Sequence, residues 1–152
     1  MAINIIEFQN KDYGETDMKK RSSERPSDYA FQLHWISETA YYKALNRGFE
    51  SGQEVDDWLF AEHDYFNMLI TRYLTISSED GGMSIKGLRR LAKSIGVESS
   101  ETYTQKDELI RAIQIIMHHE PCFNSHLSNH CDINETCLWR AECQKMVAHW
   151  HV

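Results

Sequence analysis

Proline and glycine are scarce in this chain: two prolines and seven glycines in 152 residues. So few breakers leave room for long uninterrupted helices. Cysteine does not occur in the first 121 residues, so most of the chain has no disulfide or thiolate-metal framework. No long apolar run is present, and no membrane span is expected. The start, Met1-Ala-Ile-Asn-Ile-Ile6, has no basic region followed by an apolar core, so a secretory signal is not expected either. A cytoplasmic location is the resulting expectation. There is no Gly-x-x-x-x-Gly-Lys phosphate loop, no serine nucleophile elbow and no His-Glu-x-x-His zinc-protease spacing. An enzyme is therefore the weaker expectation.

What is present is a helical pattern with enough apolar residues, 41%, for a core. Net charge is -7, which repels polyanions and anionic membranes as a whole-molecule field. The charge is uneven. Residues 31–80 carry three basic side chains against nine acidic ones, whereas residues 84–114 carry six against four. Any nucleic-acid contact is expected in the second stretch, and a protein partner is the alternative expectation for the acidic first one.

Residues 1–26 read as a polar segment after an apolar start. Residues 27–76 read as a helical hairpin. Phe31, Trp35, Ile36, Ala40, Tyr41, Ala44 and Leu45 have helical spacing, and Gly48 ends the first helix. Ser51-Gly-Gln-Glu54 has the form of a capping box. The second helix carries Val55, Trp58, Leu59, Phe66, Leu69, Ile70, Tyr73 and Leu74 along one apolar stripe.

After the Gly81-Gly82 linker, residues 83–117 begin with Ser84 as an N-cap. Leu88, Leu91, Ala92 and Ile95 form an apolar face, and Gly96 is placed as a left-handed stop. An extended connection leads to a helix burying Leu109, Ile110, Ile113 and Ile116. Residues 118–152 form a cysteine-rich tail, irregular at first, with a last helix from about residue 136. No strand is expected, and the fold class is all-α.

Two stretches resemble known families. Ile36-Ser-Glu-Thr-Ala-Tyr41, then Arg47-Gly48, Gly52 and Asp57-Trp-Leu-Phe-Ala-Glu62, resembles the bacterial helix–loop–helix family DUF2934. That family has no established activity, so the resemblance implies a fold element and no chemistry. On this reading Tyr41 and Trp58 are core anchors, and Glu62 is available to pair with Arg47. Met83 to Val97, followed by Lys106-Asp-Glu-Leu-Ile-Arg-Ala-Ile113, resembles the helix–extended loop–helix of SAP and Rho N-terminal modules. SAP modules often bind DNA and the Rho N-terminal type accompanies an RNA-binding fold, so the resemblance implies contact with DNA or RNA, with Lys86, Arg89, Arg90, Lys93 and Lys106 as contacts. Five cations near a helix start give weak, salt-sensitive binding. The plain alternative is a solvated basic helix face.

Cys122, Cys131, Cys137 and Cys143 all fall in one 22-residue window. Four thiols at this density suit one metal centre in a reducing compartment, or two disulfides in an oxidising one. The spacing lacks the short Cys-x2–4-Cys knuckles of structural zinc sites. Iron–sulfur clusters accept wider spacings. Zinc and [4Fe-4S] therefore both remain open, as does a three-cysteine, one-histidine zinc set using His126 or His130. Cys137 and Cys143 would not share a face of one continuous helix, so joint ligation requires Cys137 at or before the helix start. In the blandest case the centre is only a staple for the tail.

The functional expectation is a small bacterial accessory protein. It binds nucleic acid weakly or serves as an adaptor through residues 83–117, with a metal-stapled tail. The alternatives are a protein–protein adaptor using the acidic hairpin, or an iron–sulfur redox or sensor protein.

Overall fold

The computed structural model describes residues 28–125 and 137–148. Among the described residues the regular structure is entirely helical. Helix α1 is Asp28–Asn46, α2 Glu54–Glu79, α3 Ile85–Ile95, α4 Lys106–Ile116 and α5 Arg140–Ala148, with a single 3-10 turn at Ser100–Thr102.

Helix α1 ends where Gly48 takes φ +78° and Phe49 φ +57°. The Phe49 amide then reaches the Ala44 carbonyl at 2.8 Å. The short connection sends α2 back antiparallel to α1. Pairing runs from Arg47 on Asp57 (2.5 Å), through Lys43 over the Phe60 ring (2.9 Å), to Trp35 against Tyr65 (5.4 Å between ring centroids). The seam between the two helices is small. Ile36, Ala61 and Tyr65 are buried, and Trp35, Ala40 and Met68 pack at its edge.

This seam departs from the stripe expected on the second helix. Tyr41 is 54% exposed and Trp58 37%, and Val55 and Leu59 are exposed with them. The residues that face α1 are Asp57, Ala61 and Tyr65, spaced i, i+4, i+8. They were passed over because one is charged and one is small. Arg47 pairs with Asp57, not Glu62. The capping box is also displaced. Gln53 is the cap residue and makes no side-chain cap bond, while the Glu54 carboxylate accepts from the Gly52 amide at 3.0 and 3.2 Å.

At 26 residues α2 is about 39 Å long. Its second half leaves α1 and enters a larger core with α3 and α4. It runs on through Ser77 to Glu79, past the linker start read from the sequence. Ile70 joins Leu88, Leu91, Ala92 and Ile95 of α3 and Leu109, Ile110 and Ile113 of α4, closed by Met117, Phe123 and Trp139. Phe66 and Leu69 touch both cores, so α2 is the spine that links hairpin and bundle. Gly87 permits the α2–α3 approach, since a Cβ there would lie 2.9 Å from the Tyr73 ring.

Helix α3 follows its sequence signals closely. The Ser84 hydroxyl accepts from the Gly87 amide at 3.1 Å. At the other end Gly96 sits at φ +102°, and the Val97 amide reaches back to the Ala92 carbonyl at 2.9 Å. An extended connection containing the 3-10 turn returns the chain to α4. In α4, Ile116 is 39% exposed, and Gln114 and Met117 are buried where Ile116 was expected. Trp139 is buried just ahead of α5, which starts at Arg140, later than the sequence suggested.

Candidate functional site

Helix α3 buries Leu88, Leu91, Ala92 and Ile95 on one side. At about 100° per residue, Lys86, Arg90 and Lys93 then lie on the opposite side, one turn apart along a single ridge. All three are exposed. Among the described residues none of them takes part in an ion pair. The ridge spans eight residues, a rise of about 10 Å at 1.5 Å per step.

Arg89 does not belong to this ridge. Its Nε and Nη2 donate to the Tyr103 carbonyl at 3.1 and 2.7 Å, tying α3 to the extended connection. Lys106 is exposed at the start of α4, on a different element. Of the five cations grouped from the sequence, three therefore form one surface, one holds the loop, and one stands apart.

The cysteine tail meets the bundle at a cavity of about 340 Å³. Ile70, Met117, Leu138 and Trp139 give it apolar walls, and His63, Asn67, His119 and Glu120 add polar groups. Cys122 and Cys137 both line it. The turn that carries Cys122 is held to α4 by side chains. Gln114 accepts from the Phe123 amide at 3.1 Å and donates toward the Cys122 sulfur at 3.7 Å. Arg111 donates to the Phe123 carbonyl at 2.9 Å, and Asn124 Nδ2 lies 2.5 Å from Asp107 Oδ2.

His63 and His119 meet edge to face, 5.8 Å between ring centroids. Burial, with the neighbouring His119 and His118, lowers the His63 imidazole below its ordinary 6.5, against the opposing pull of Asp64. The ring is thus favoured neutral, the form that can serve as a ligand.

Cys137 precedes α5, where its carbonyl accepts from the Arg140 amide at 3.1 Å. This is the position that joint ligation with Cys143 requires. Cys143 packs against the large core and does not line the cavity. Cys131, His126 and His130 lie outside the described residues. Among the described residues Cys122 and Cys143 are free thiols, and no three histidine, cysteine or acidic side chains gather closely enough to hold a metal ion. His63 and Gln114 were missed as cavity residues because nothing local in α2 or α4 signals a contact with a turn so far along the chain.

Residues 33–65 match the family described as Protein of unknown function (DUF2934). The match runs from the first turns of α1 to the middle of α2 and encloses the Arg47–Asp57 pair. It covers a minority of the chain. No curated protein and no solved structure matches the chain. Among the described residues no helix is long and apolar enough to cross a membrane.

Proposed function

We propose that this chain is a small accessory protein that binds DNA or RNA weakly through the α3 ridge. The observation that carries the reading is the alignment of Lys86, Arg90 and Lys93 on the face of α3 opposite the core. Each cation that neutralises a phosphate releases counterions, so three of them supply a modest, salt-sensitive affinity. The ridge offers charge and no obvious base-edge readout, so positioning on a backbone is the expected mode. The acidic hairpin opposes non-productive contacts elsewhere and orients the approach.

In this reading the tail is a staple. Cys122, Cys131, Cys137 and Cys143 hold one metal centre, zinc or [4Fe-4S], that fixes residues 118–152 to the bundle; this requires Cys143 to move from the core to the cavity that Cys122 and Cys137 line. Two of the four thiols already face one cavity. Metal and acid-labile sulfide analysis of anaerobically purified protein, beside Cys137→Ser, tests this. One zinc, or iron with sulfide, lost in the variant supports the staple, and metal-free protein overturns it.

The nucleic-acid reading is tested by fluorescence anisotropy with a labelled duplex and a labelled single strand. The full chain is compared with Lys86→Glu/Arg90→Glu/Lys93→Glu. Binding lost in the variant supports the reading. Binding unchanged, or never seen at low salt, refutes it.

A second reading, a protein–protein adaptor, is favoured by the aromatic residues that the hairpin leaves exposed, Tyr41 and Trp58 among them.

A further inference from the structure

The α1–α2 hairpin has an unusual division of its apolar residues. Its seam buries only Ile36, Ala61 and Tyr65, while larger side chains face outward. Val55 is 70% exposed and Phe49 52%, beside Tyr41, Trp58 and Leu59.

These residues share one side of the hairpin. Relative to the seam, at about 100° per residue, Tyr41 turns away on α1 in the same sense as Val55, Trp58 and Leu59 on α2. In an antiparallel pair the same sense means the same side. The opposite sense carries Tyr42 and Phe60, also exposed, with Lys43 reaching from the seam over the Phe60 ring. The Phe49 ring, in the left-handed turn, extends the patch by contact with Tyr41 at 5.6 Å. Exposed apolar patches rimmed by polar groups mark interaction surfaces.

The rim settles which partner fits. The two cations of this end of the hairpin are already engaged, Arg47 by Asp57 and Lys43 by the Phe60 ring. Glu50 and Glu54 are exposed at the loop end of the patch, Asp56 is exposed beyond Leu59 on the edge toward Phe60, and none is in an ion pair among the described residues. A second copy of the chain would bring the same acidic rim against itself, whereas a cationic partner would satisfy it. Two antiparallel helices with an apolar side also present a groove suited to the apolar face of a third helix.

We infer that this side of the hairpin docks a basic amphipathic helix, whose apolar face covers Tyr41, Val55, Trp58 and Leu59 and whose lysines or arginines meet Glu50, Glu54 and Asp56. This partner class rests on the adaptor reading above.

The test uses the full chain and labelled synthetic helices of about 18 residues, five turns. One is an amphipathic lysine/leucine helix, one its glutamate/leucine counterpart, and one a scrambled lysine/leucine sequence without an apolar face. The lysine/leucine helix alone is expected to bind. Trp58→Ser/Leu59→Ser should weaken it at least about tenfold, as for truncated central anchors. Circular dichroism verifies that these exposed substitutions leave the fold intact. Glu50→Gln/Asp56→Asn should weaken it a few-fold and reduce its salt dependence.

Equal or tighter binding of the glutamate/leucine helix, lost in Trp58→Ser/Leu59→Ser, would overturn the basic partner and leave the adaptor reading standing. Self-association in sedimentation, abolished by Trp58→Ser/Leu59→Ser, would assign the face to a second copy and overturn the inference. Binding of no helix together with no self-association would overturn both readings.

Discussion

Arg89 and Arg90 are adjacent in sequence and are predicted to fail in opposite ways. Arg89 spends its guanidinium on the Tyr103 carbonyl, with two charged hydrogen bonds at 3.1 and 2.7 Å. A hydrogen bond to a charged group is worth about 1.5–3 kcal/mol, and partial exposure places Arg89→Ala near the lower end, about 1–2 kcal/mol. In a chain of this size that lowers Tm by about 2–8 °C. Nucleic-acid binding of the folded variant should hardly change. Arg90 is exposed on the ridge. Arg90→Ala should stay within about 0.5 kcal/mol in stability. It should remove one phosphate contact and make the slope of log K against log salt shallower by about 0.9. Differential scanning calorimetry and anisotropy at several salt concentrations measure the two effects on the same samples. The reasoning is refuted if Arg89→Ala leaves Tm unchanged while weakening binding as Arg90→Ala does, for then both side chains belong to one surface.

Other outcomes follow from the packing. Leu88 is fully buried between α3 and α4, so Leu88→Ala should cost about 2–5 kcal/mol in urea unfolding; a loss below about 1 kcal/mol would mean that this core is not packed as described. Gly96 holds φ +102° with open space around an added Cβ, so Gly96→Ala should cost only the backbone penalty, about 1–2 kcal/mol. A larger loss would point to a steric clash instead. The hydrogen bond from Arg47 holds the Asp57 carboxyl below its ordinary 3.8, with burial pulling the other way. Its contribution is therefore full above that value and lost as pH falls through the lower folded-state value. Asp57→Asn should lower Tm at neutral pH, and the gap from the native chain should close toward acid in a pH series; a gap independent of pH would contradict the pairing.

The parts of this fold that were legible in the sequence are those decided locally. Ser84, the leucine spacing of α3 and Gly96 act within a turn or two of themselves, and the structure follows them. The extended return to Lys106 follows for the same reason. The hairpin seam was not legible. Periodicity finds an apolar stripe but not what covers it, and the stripe through Val55, Trp58 and Leu59 is the one left uncovered. The true seam uses Ala61 and the paired Asp57, residue types that carry little hydrophobic signal. The five cations looked equivalent because the carbonyl that takes Arg89 lies 14 residues away, a tertiary contact with no local signature. The same holds for the cavity, where His63 of α2 meets the turn bearing His119 and Cys122.

The salt dependence of nucleic-acid binding tests the account most directly. Three ridge cations predict a log–log slope on duplex DNA no steeper than about -2.7, at about 0.9 for each neutralised phosphate. That corresponds to a loss of roughly fortyfold in affinity between 50 and 200 mM salt. The slope should fall toward zero in Lys86→Glu/Arg90→Glu/Lys93→Glu and stay in place in Lys106→Ala. A slope that survives the triple reversal, or no binding at the lowest salt, would contradict it.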